Sequence, residues 1–273
     1  MSALPRSWLF TPGSRPDRFE KALASGAGAV ILDLEDAVAE DKKLQARADV
    51  TAFAAGRQRT AVNVTVRINP LCRAVGLEDL SALARLAGGV DHILVPKAEE
   101  PAELALAGRV LDEAGSPARL TALVESARGV ARAAGIAQAT SRLDALVFGA
   151  ADYASDLGQQ VGVFRPDFAR AAIVNGAAAG GVAAIDSPFF AIDDAAALAA
   201  ECRSARELGF YGKAAIHPSQ LTAIRDAFSP TEAELALASR ILEATVDGVG
   251  VLDGKMVDVA HVRWARRILG GEA

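Results

Sequence analysis

Residues 120–126, LTALVES, run apolar up to a carboxylate and pass at once into a helix-like stretch over residues 127–139, ARGVARAAGIAQA. Strand side chains alternate faces, so Thr121, Leu123 and Glu125 share one side and Glu125 closes it. Residues 145–152, ALVFGAAD, repeat the grammar, an apolar strand that stops on Asp152. Two acids at the carboxyl ends of consecutive parallel strands would lie side by side, at the end of the sheet where α/β proteins bind ligands. A pair of carboxylates completed by water suits a hard cation such as magnesium. Zinc would favour histidine or thiolate.

Working outward, the same strand-then-helix alternation fills most of the chain. Strands are expected at residues 6–11, 29–34, 62–68 and 91–97 before the pair above, and at 182–185 and 212–217 after it. Helices are expected at 15–25, 41–53, 77–86, 101–114, 165–179 and 193–208. Within 62–68 the alternation is clean. Val62, Val64, Val66 and Ile68 should face surrounding helices, and Asn63, Thr65 and Arg67 the interior. Eight such units predict an α/β (β/α)8 TIM barrel over residues 1–218 with its active site at the strand C-terminal ends. Residues 219–273 exceed what a barrel needs. They read as a C-terminal helical segment with a turn at VDGVGVLDGK, expected at a subunit interface. Residues 153–163 read as an irregular, functional loop.

The 273 residues are 51% hydrophobic and 23% charged, with a net charge of -5 and no basic block. That balance argues against nucleic acid or an anionic membrane as partner and for a small molecule. Cys72 and Cys202 lack metal spacing and read as reduced thiols. The N-terminus lacks a signal peptide's apolar core, and the longest uncharged run, residues 171–185, is too short to span a bilayer. A cytoplasmic enzyme is the expectation. The glycines of residues 25–29, SGAGA, precede a strand instead of following one, so they are read as a turn and not a dinucleotide loop.

On this fold the active end collects Glu35, Asp36, Arg67, Lys97, Glu125, Asp152, Asp186 and His217. Any one of these acids alone reads as well as a helix cap or a local ion pair. Together they do not, because an interior Arg67 needs either those carboxylates or a bound anion. His92 and Lys213 lie at the opposite end and are expected to be structural. His261 is expected to be solvated, and His217 is as readily a turn device as a ligand.

RSWLFTPGSRPDRFEKA, AVILDLEDAVAEDKKLQAR, VRIN, VPKAE, LVESARG, GAAD, GFYGKAAIHPSQ and DGKMVD resemble, in order and over nearly the whole chain, the citrate lyase beta subunit-like proteins of the HpcH/HpaI aldolase/citrate lyase superfamily. The resemblance implies a barrel assembled as a homotrimer or hexamer, and magnesium-dependent carbon–carbon lyase chemistry on citramalyl-, malyl- or citryl-type coenzyme A thioesters, yielding a 2-keto acid. It implies Glu125 and Asp152 as magnesium ligands, Arg67 as the residue holding the substrate's carboxylate or keto acid, and Asp36 at the active site. It implies Asp258 as an acid or base delivered from a neighbouring subunit. Phe10, Arg18, Lys21, Ile216 and His217 fall where relatives meet coenzyme A. The chain departs from the usual GAED at Ala151, expected to point away from Asp152. The expected reaction is a retro-Claisen cleavage with a carboxylate base. Metal-dependent pyruvate aldolases rely on an early histidine, and none precedes His92. Malate-synthase-like condensation with thioester hydrolysis, and a citrate lyase subunit acting on a carrier-protein thioester, are the alternatives.

Overall fold

The eight apolar runs are too short to be stable alone and bury both faces only by closing on one another. In the computed structural model, which describes residues 4–57, 60–246 and 248–270, they do so as a closed parallel barrel in chain order. The strands are β1 (Ser7–Pro12), β2 (Ala29–Asp33), β3 (Asn63–Arg67), β4 (His92–Val95), β5 (Arg119–Val124), β6 (Leu143–Phe148), β7 (Ala183–Asp186) and β8 (Gly212–Ala215). β8 closes against β1 through Ser7–Lys213, Trp8–Ala214 and Leu9–Ala215. The helices between them are α1 (Phe19–Leu23), α2 (Lys43–Gly56), α3 (Ala74–Ala84), α4 (Pro101–Glu113), α5 (Ala127–Ala131), α6 (Ala133–Ala137), α7 (Ala150–Asp156), α8 (Asp167–Gly180), α9 (Ala195–Leu208) and α10 (Leu221–Phe228).

Alternation along each strand divides the core in two. Val30, Leu32, Val64, Val66 and Ile68 point outward to the helices, while Trp8, Ala29, Ile31, Leu94, Leu123, Val147 and Ile185 fill the interior. Thr65 and Arg67 are buried on the inner side as the alternation of β3 predicts. Phe148, fully buried in the outer layer, would cost about 3–5 kcal/mol on truncation to alanine. At the amino-terminal end of the barrel the β5–β6 register slips between Leu120 and Thr121. There Asp144 binds His92 Nε2 at 3.1 Å and is paired by Arg119, so His92 is structural, as expected.

Several local expectations change, among them those at the active end. The single helix at residues 127–139 is two, broken at Arg132, where φ and ψ leave the helical range. The strand ending on Asp152 stops at Phe148, and Asp152 lies in the first turn of α7. The acid of β7, Asp186, points outward by the alternation that sends Ile185 inward, and meets Lys213 Nζ at 2.6 Å and the Arg170 guanidinium. Lys213 is fully buried between Asp186 and Glu201, whose charges hold its ammonium protonated against the cost of burial.

The chain divides into two compact units, Met1–Phe228 and Ser229–Ala273, so α10 belongs with the barrel. In the second unit α11 (Glu232–Ala244) packs on α12 (Val259–Ile268) around Ala238, Ile241, Val257 and Ala265. The expected turn at residues 246–255 is instead part of an antiparallel sheet of β9 (Thr245–Val246), β10 (Val249–Leu252) and β11 (Lys255–Val257). Its glycines make the reversals: Gly248 and Gly254 have φ of 86° and 73°, the region that favours glycine. Both cysteines are free thiols, Cys72 exposed and Cys202 buried. Among the described residues no helix is long and apolar enough to cross a membrane.

Candidate active site

The carboxyl ends of the strands open onto a cavity of about 340 Å³ lined by Phe10, Asp36, Arg67, Glu125, Asp152 and Ile216, with Asp33, Pro188 and Phe190 in its wall. Each arrives by a local rule. Glu125 follows the last residue of β5 and is only 3% exposed. Ser126, not Glu125, caps α5 by accepting from Gly129 N–H at 3.1 Å, which leaves the glutamate free to turn inward. Opposite it, Gly149 ends β6; a Cβ there would lie 2.6 Å from Glu125 Oε2, so the glycine makes room for the carboxylate.

Arg67 is clamped by Asp33, donating from Nε and Nη2 at 2.6 Å each. Asp33 also accepts from the backbone N–H groups of Glu35 and Ala37, at 2.9 and 3.1 Å. This clamp leaves Arg67 Nη1 facing Glu35 at 2.9 Å and Asp36 at 3.3 Å. Burial opposes the guanidinium's charge, but the Asp33 bonds outweigh it and its pKa is raised. Phe10 covers the group, its ring centroid 5.2 Å from Arg67 Cζ.

Lys97 sits in a left-handed turn, φ 49°, which costs a non-glycine residue about 1–2 kcal/mol. Its backbone N–H donates to Glu125 Oε1 at 2.8 Å, while its ammonium lies 3.1 Å from Asp152, 3.7 Å from Glu125 and 3.9 Å from Glu35. Glu125 and Asp152 therefore face one cation position, already occupied by positive charge.

Five carboxylates, Asp33, Glu35, Asp36, Glu125 and Asp152, meet two cations, Arg67 and Lys97, a surplus of three negative charges when all are ionised. Burial, with Asp152 close by, pushes Glu125 up to about 7 despite Lys97. Burial likewise pushes Glu35 up to about 8 despite Arg67. Neither Glu35 oxygen has a hydrogen bond among the described residues, the Arg67 contact lying off the bonding direction. Desolvated acids with orphaned oxygens are a poor resting arrangement and a good one for a hard cation. Glu125 and Asp152 fit as its protein ligands, with water or substrate oxygens completing the shell. Among the described residues no three histidine, cysteine or carboxylate side chains form a closed cage.

A profile of the HpcH/HpaI aldolase/citrate lyase family matches residues 6–218. The chain belongs to this family. The chain is an enzyme of the lyase class. Over 97% of this chain and 93% of the relative, it is 38% identical to a (3S)-malyl-CoA thioesterase of Cereibacter sphaeroides. An L-malyl-CoA/beta-methylmalyl-CoA lyase of the same organism is 34% identical over the same shares. CitE of Mycobacterium tuberculosis, solved with magnesium, acetoacetate and coenzyme A, superposes with a TM-score of 0.80 at 35% identity, covering 99% of this chain and 98% of that one.

Of the residues expected from sequence, the structure gathers Phe10, Asp36, Arg67, Glu125, Asp152 and Ile216 around the cavity. Arg18 and Lys21 are exposed on and beside α1 and are not among its lining residues. His217 is exposed and caps a short helical turn, accepting from Ser219 N–H at 3.2 Å, so the turn-device reading holds. Asp258 belongs to the second unit, where it caps α12 through the N–H of Ala260 at 2.9 Å. Bonding to His261 holds its carboxyl below the ordinary range. Sequence reasoning placed Glu35 and Lys97 at the active end without a specific role and missed Asp33. The signal was present in AVILDLED, since Asp33 and Glu35 share the inward parity of Ala29 and Ile31.

Proposed function

We propose that the chain is a magnesium-dependent carbon–carbon lyase, cleaving a 3-hydroxyacyl-CoA thioester of citramalyl, malyl or citryl type to a 2-keto acid and an acyl thioester. The observation that carries this reading is the convergence of Glu125 and Asp152 on one cation position. The magnesium, acetoacetate and coenzyme A held by the CitE relative support it. When bound to those two acids, magnesium supplies Lewis-acid polarisation of substrate oxygens.

The rest of the reaction falls to side chains. Arg67 Nη1, left free of the Asp33 clamp, holds the keto-acid end. Glu35, whose pKa approaches the working pH, takes the hydroxyl proton as the carbon–carbon bond breaks. The electron pair passes into the thioester as an enolate, whose charge Arg67 faces. Asp36, or Asp258 of the partner subunit, returns a proton to the α-carbon. Arg18, Lys21 and His217 remain candidates for the coenzyme A moiety outside the cavity. A homotrimer or hexamer fits the apolar side chains that the second unit exposes, Val249, Val251 and Met256. Two free thiols fit a cytoplasmic enzyme.

Cleavage of a panel of these thioesters, with keto acid measured with and without chelator, tests the proposal. Glu125→Gln and Asp152→Asn should each abolish magnesium-dependent turnover while melting as wild type. Full magnesium-dependent turnover in Glu125→Gln would refute the ligand assignment. A second reading, thioester hydrolysis, is favoured by the higher identity to the thioesterase than to the lyase. Free thiol released without keto acid would establish it.

A further inference from the structure

Glu35 stands just past the end of β2, in a stretch, residues 34–39, that is neither strand nor helix, so no ladder or helical turn fixes it. Its carboxylate oxygens make no hydrogen bond among the described residues. The place of that carboxylate is therefore set by its backbone, and the backbone is held from two sides. On the side of the site, the Leu34 N–H donates to the Arg67 carbonyl at 2.9 Å, and the N–H groups of Glu35 and Ala37 donate to Asp33.

On the other side the carbonyls are taken by side chains from behind. Lys43, the first residue of α2, donates from Nζ to the carbonyls of Leu34 and Glu35 at 3.0 Å each. Asn69 Nδ2 reaches the same Leu34 carbonyl at 3.0 Å. Asn69 is itself oriented by the buried Asp79, which accepts from its Nδ2 at 2.7 Å and its backbone N–H at 3.0 Å.

Lys43 breaks a rule of burial. It is only 7% exposed, yet it pairs with no carboxylate among the described residues. Burying an ammonium without a counter-charge costs free energy that a methionine of similar length would not. What the ammonium supplies, and a methionine cannot, is a grip on two successive carbonyls of the segment that presents Glu35 to Arg67 Nη1 at 2.9 Å.

We infer that Lys43 is a positioning residue: its buried ammonium clamps the Leu34 and Glu35 carbonyls and so keeps the Glu35 carboxylate beside Arg67, where the substrate is cleaved. The effect on rate rests on the lyase reading above, in which Glu35 takes the hydroxyl proton. The clamp itself does not.

The test is Lys43→Met in the full magnesium-loaded chain. Hydrogen exchange over residues 34–38 should quicken at least about tenfold, while β5 and α7 stay within about twofold of wild type. Thioester cleavage should lose about 100-fold in kcat, the result of a misplacement of about 1 Å, with KM and magnesium affinity within about threefold. Magnesium affinity is spared because Glu125 and Asp152 stand on other elements. Val50→Ala, fully buried on the same α2, controls for lost stability and should melt lower with kcat within about twofold of wild type. In a Glu35→Gln background Lys43→Met should add less than about threefold, since both changes act through one carboxylate. Unchanged exchange over residues 34–38, a kcat loss no larger than that of Val50→Ala, or full multiplication with Glu35→Gln overturns the inference. If Lys43→Met does not fold, Lys43→Gln, polar but one atom shorter, is read by the same measures. If wild type cleaves no thioester of the panel, the lyase reading fails, and exchange decides the clamp alone. Quickening confined to residues 34–38 then upholds it, and none overturns it.

Discussion

Gly149→Ala tests the architecture of the site with the smallest possible change. The backbone at Gly149 has φ of -105°, which alanine adopts without a left-handed penalty, so backbone strain does not enter. By narrowing the unfolded ensemble the substitution would even favour folding by about 0.4–1 kcal/mol. The added methyl, however, would lie 2.5 Å from Glu125 Cβ and 2.6 Å from Oε2, where carbon atoms ordinarily meet at about 3.5–4.0 Å. Something must move by about 1 Å. Glu125 is buried and tied to the Lys97 N–H, so the displacement falls on the carboxylate itself. Overpacking of this kind costs about 1–3 kcal/mol. A misplacement of about 1 Å costs about 100-fold in rate. The expected result is a fold that melts a few degrees lower, magnesium affinity reduced at least tenfold by calorimetry, and kcat down by about two orders of magnitude. Wild-type magnesium affinity and kcat in a folded Gly149→Ala would remove Glu125 from the role assigned to it.

Three further outcomes follow from the charges. Glu125 and Glu35 bind protons more tightly in the folded chain than unfolded, near 7 and 8 against an ordinary 4.5. Their contribution to stability is thus present below about pH 4.5 and lost as pH rises through those values, roughly 3 kcal/mol for Glu125. Metal-free melting temperature should fall across that window and magnesium affinity should rise; a flat pair of profiles contradicts the assignment. Arg67→Lys replaces a planar fork that makes two 2.6 Å bonds to Asp33, and a point charge cannot reproduce them. A loss of about 100-fold or more in kcat/KM is expected, with wild-type values refuting the positioning role. Lys213→Met leaves Asp186 and Glu201 without their shared ammonium. Denaturant titration should show a loss of about 3–5 kcal/mol. Unchanged magnesium binding in the surviving fold would confirm that this cluster is structural.

The barrel was legible because its signal is distributed. Each of eight segments needs only to be apolar and followed by a helix, and the alternation of Val64, Val66 and Ile68 against Thr65 and Arg67 fixed which face is which. Glu125 was legible for the same reason. Parity was harder to use in four-residue strands, and Asp186, an acid at a strand end like Glu125, turned out to face the helices. Asp152 was placed by composition alone. FGAAD looks like one run, but Gly149 ends the strand and the next residues coil, which also brings Ala151 into the cavity wall instead of away from the site. The sheet of the second unit was hidden by its glycines, which read as a loop and in fact form the reversals between strands. Lys97 was placed at the active end, but its left-handed turn was not legible, since a left-handed lysine has no local sequence rule.

The two thiols differ in what chemistry can reach them. Cys202 is on the buried face of α9, and burial pushes its pKa up to about 11, so almost none of it is thiolate at neutral pH. Cys72 stands in water a few residues past the end of β3, on the strand that delivers Arg67. An alkylating fluorophore at neutral pH would therefore mark the wild-type chain at a single address near the catalytic rim. Ligand arrival could then be followed optically without engineering the protein first.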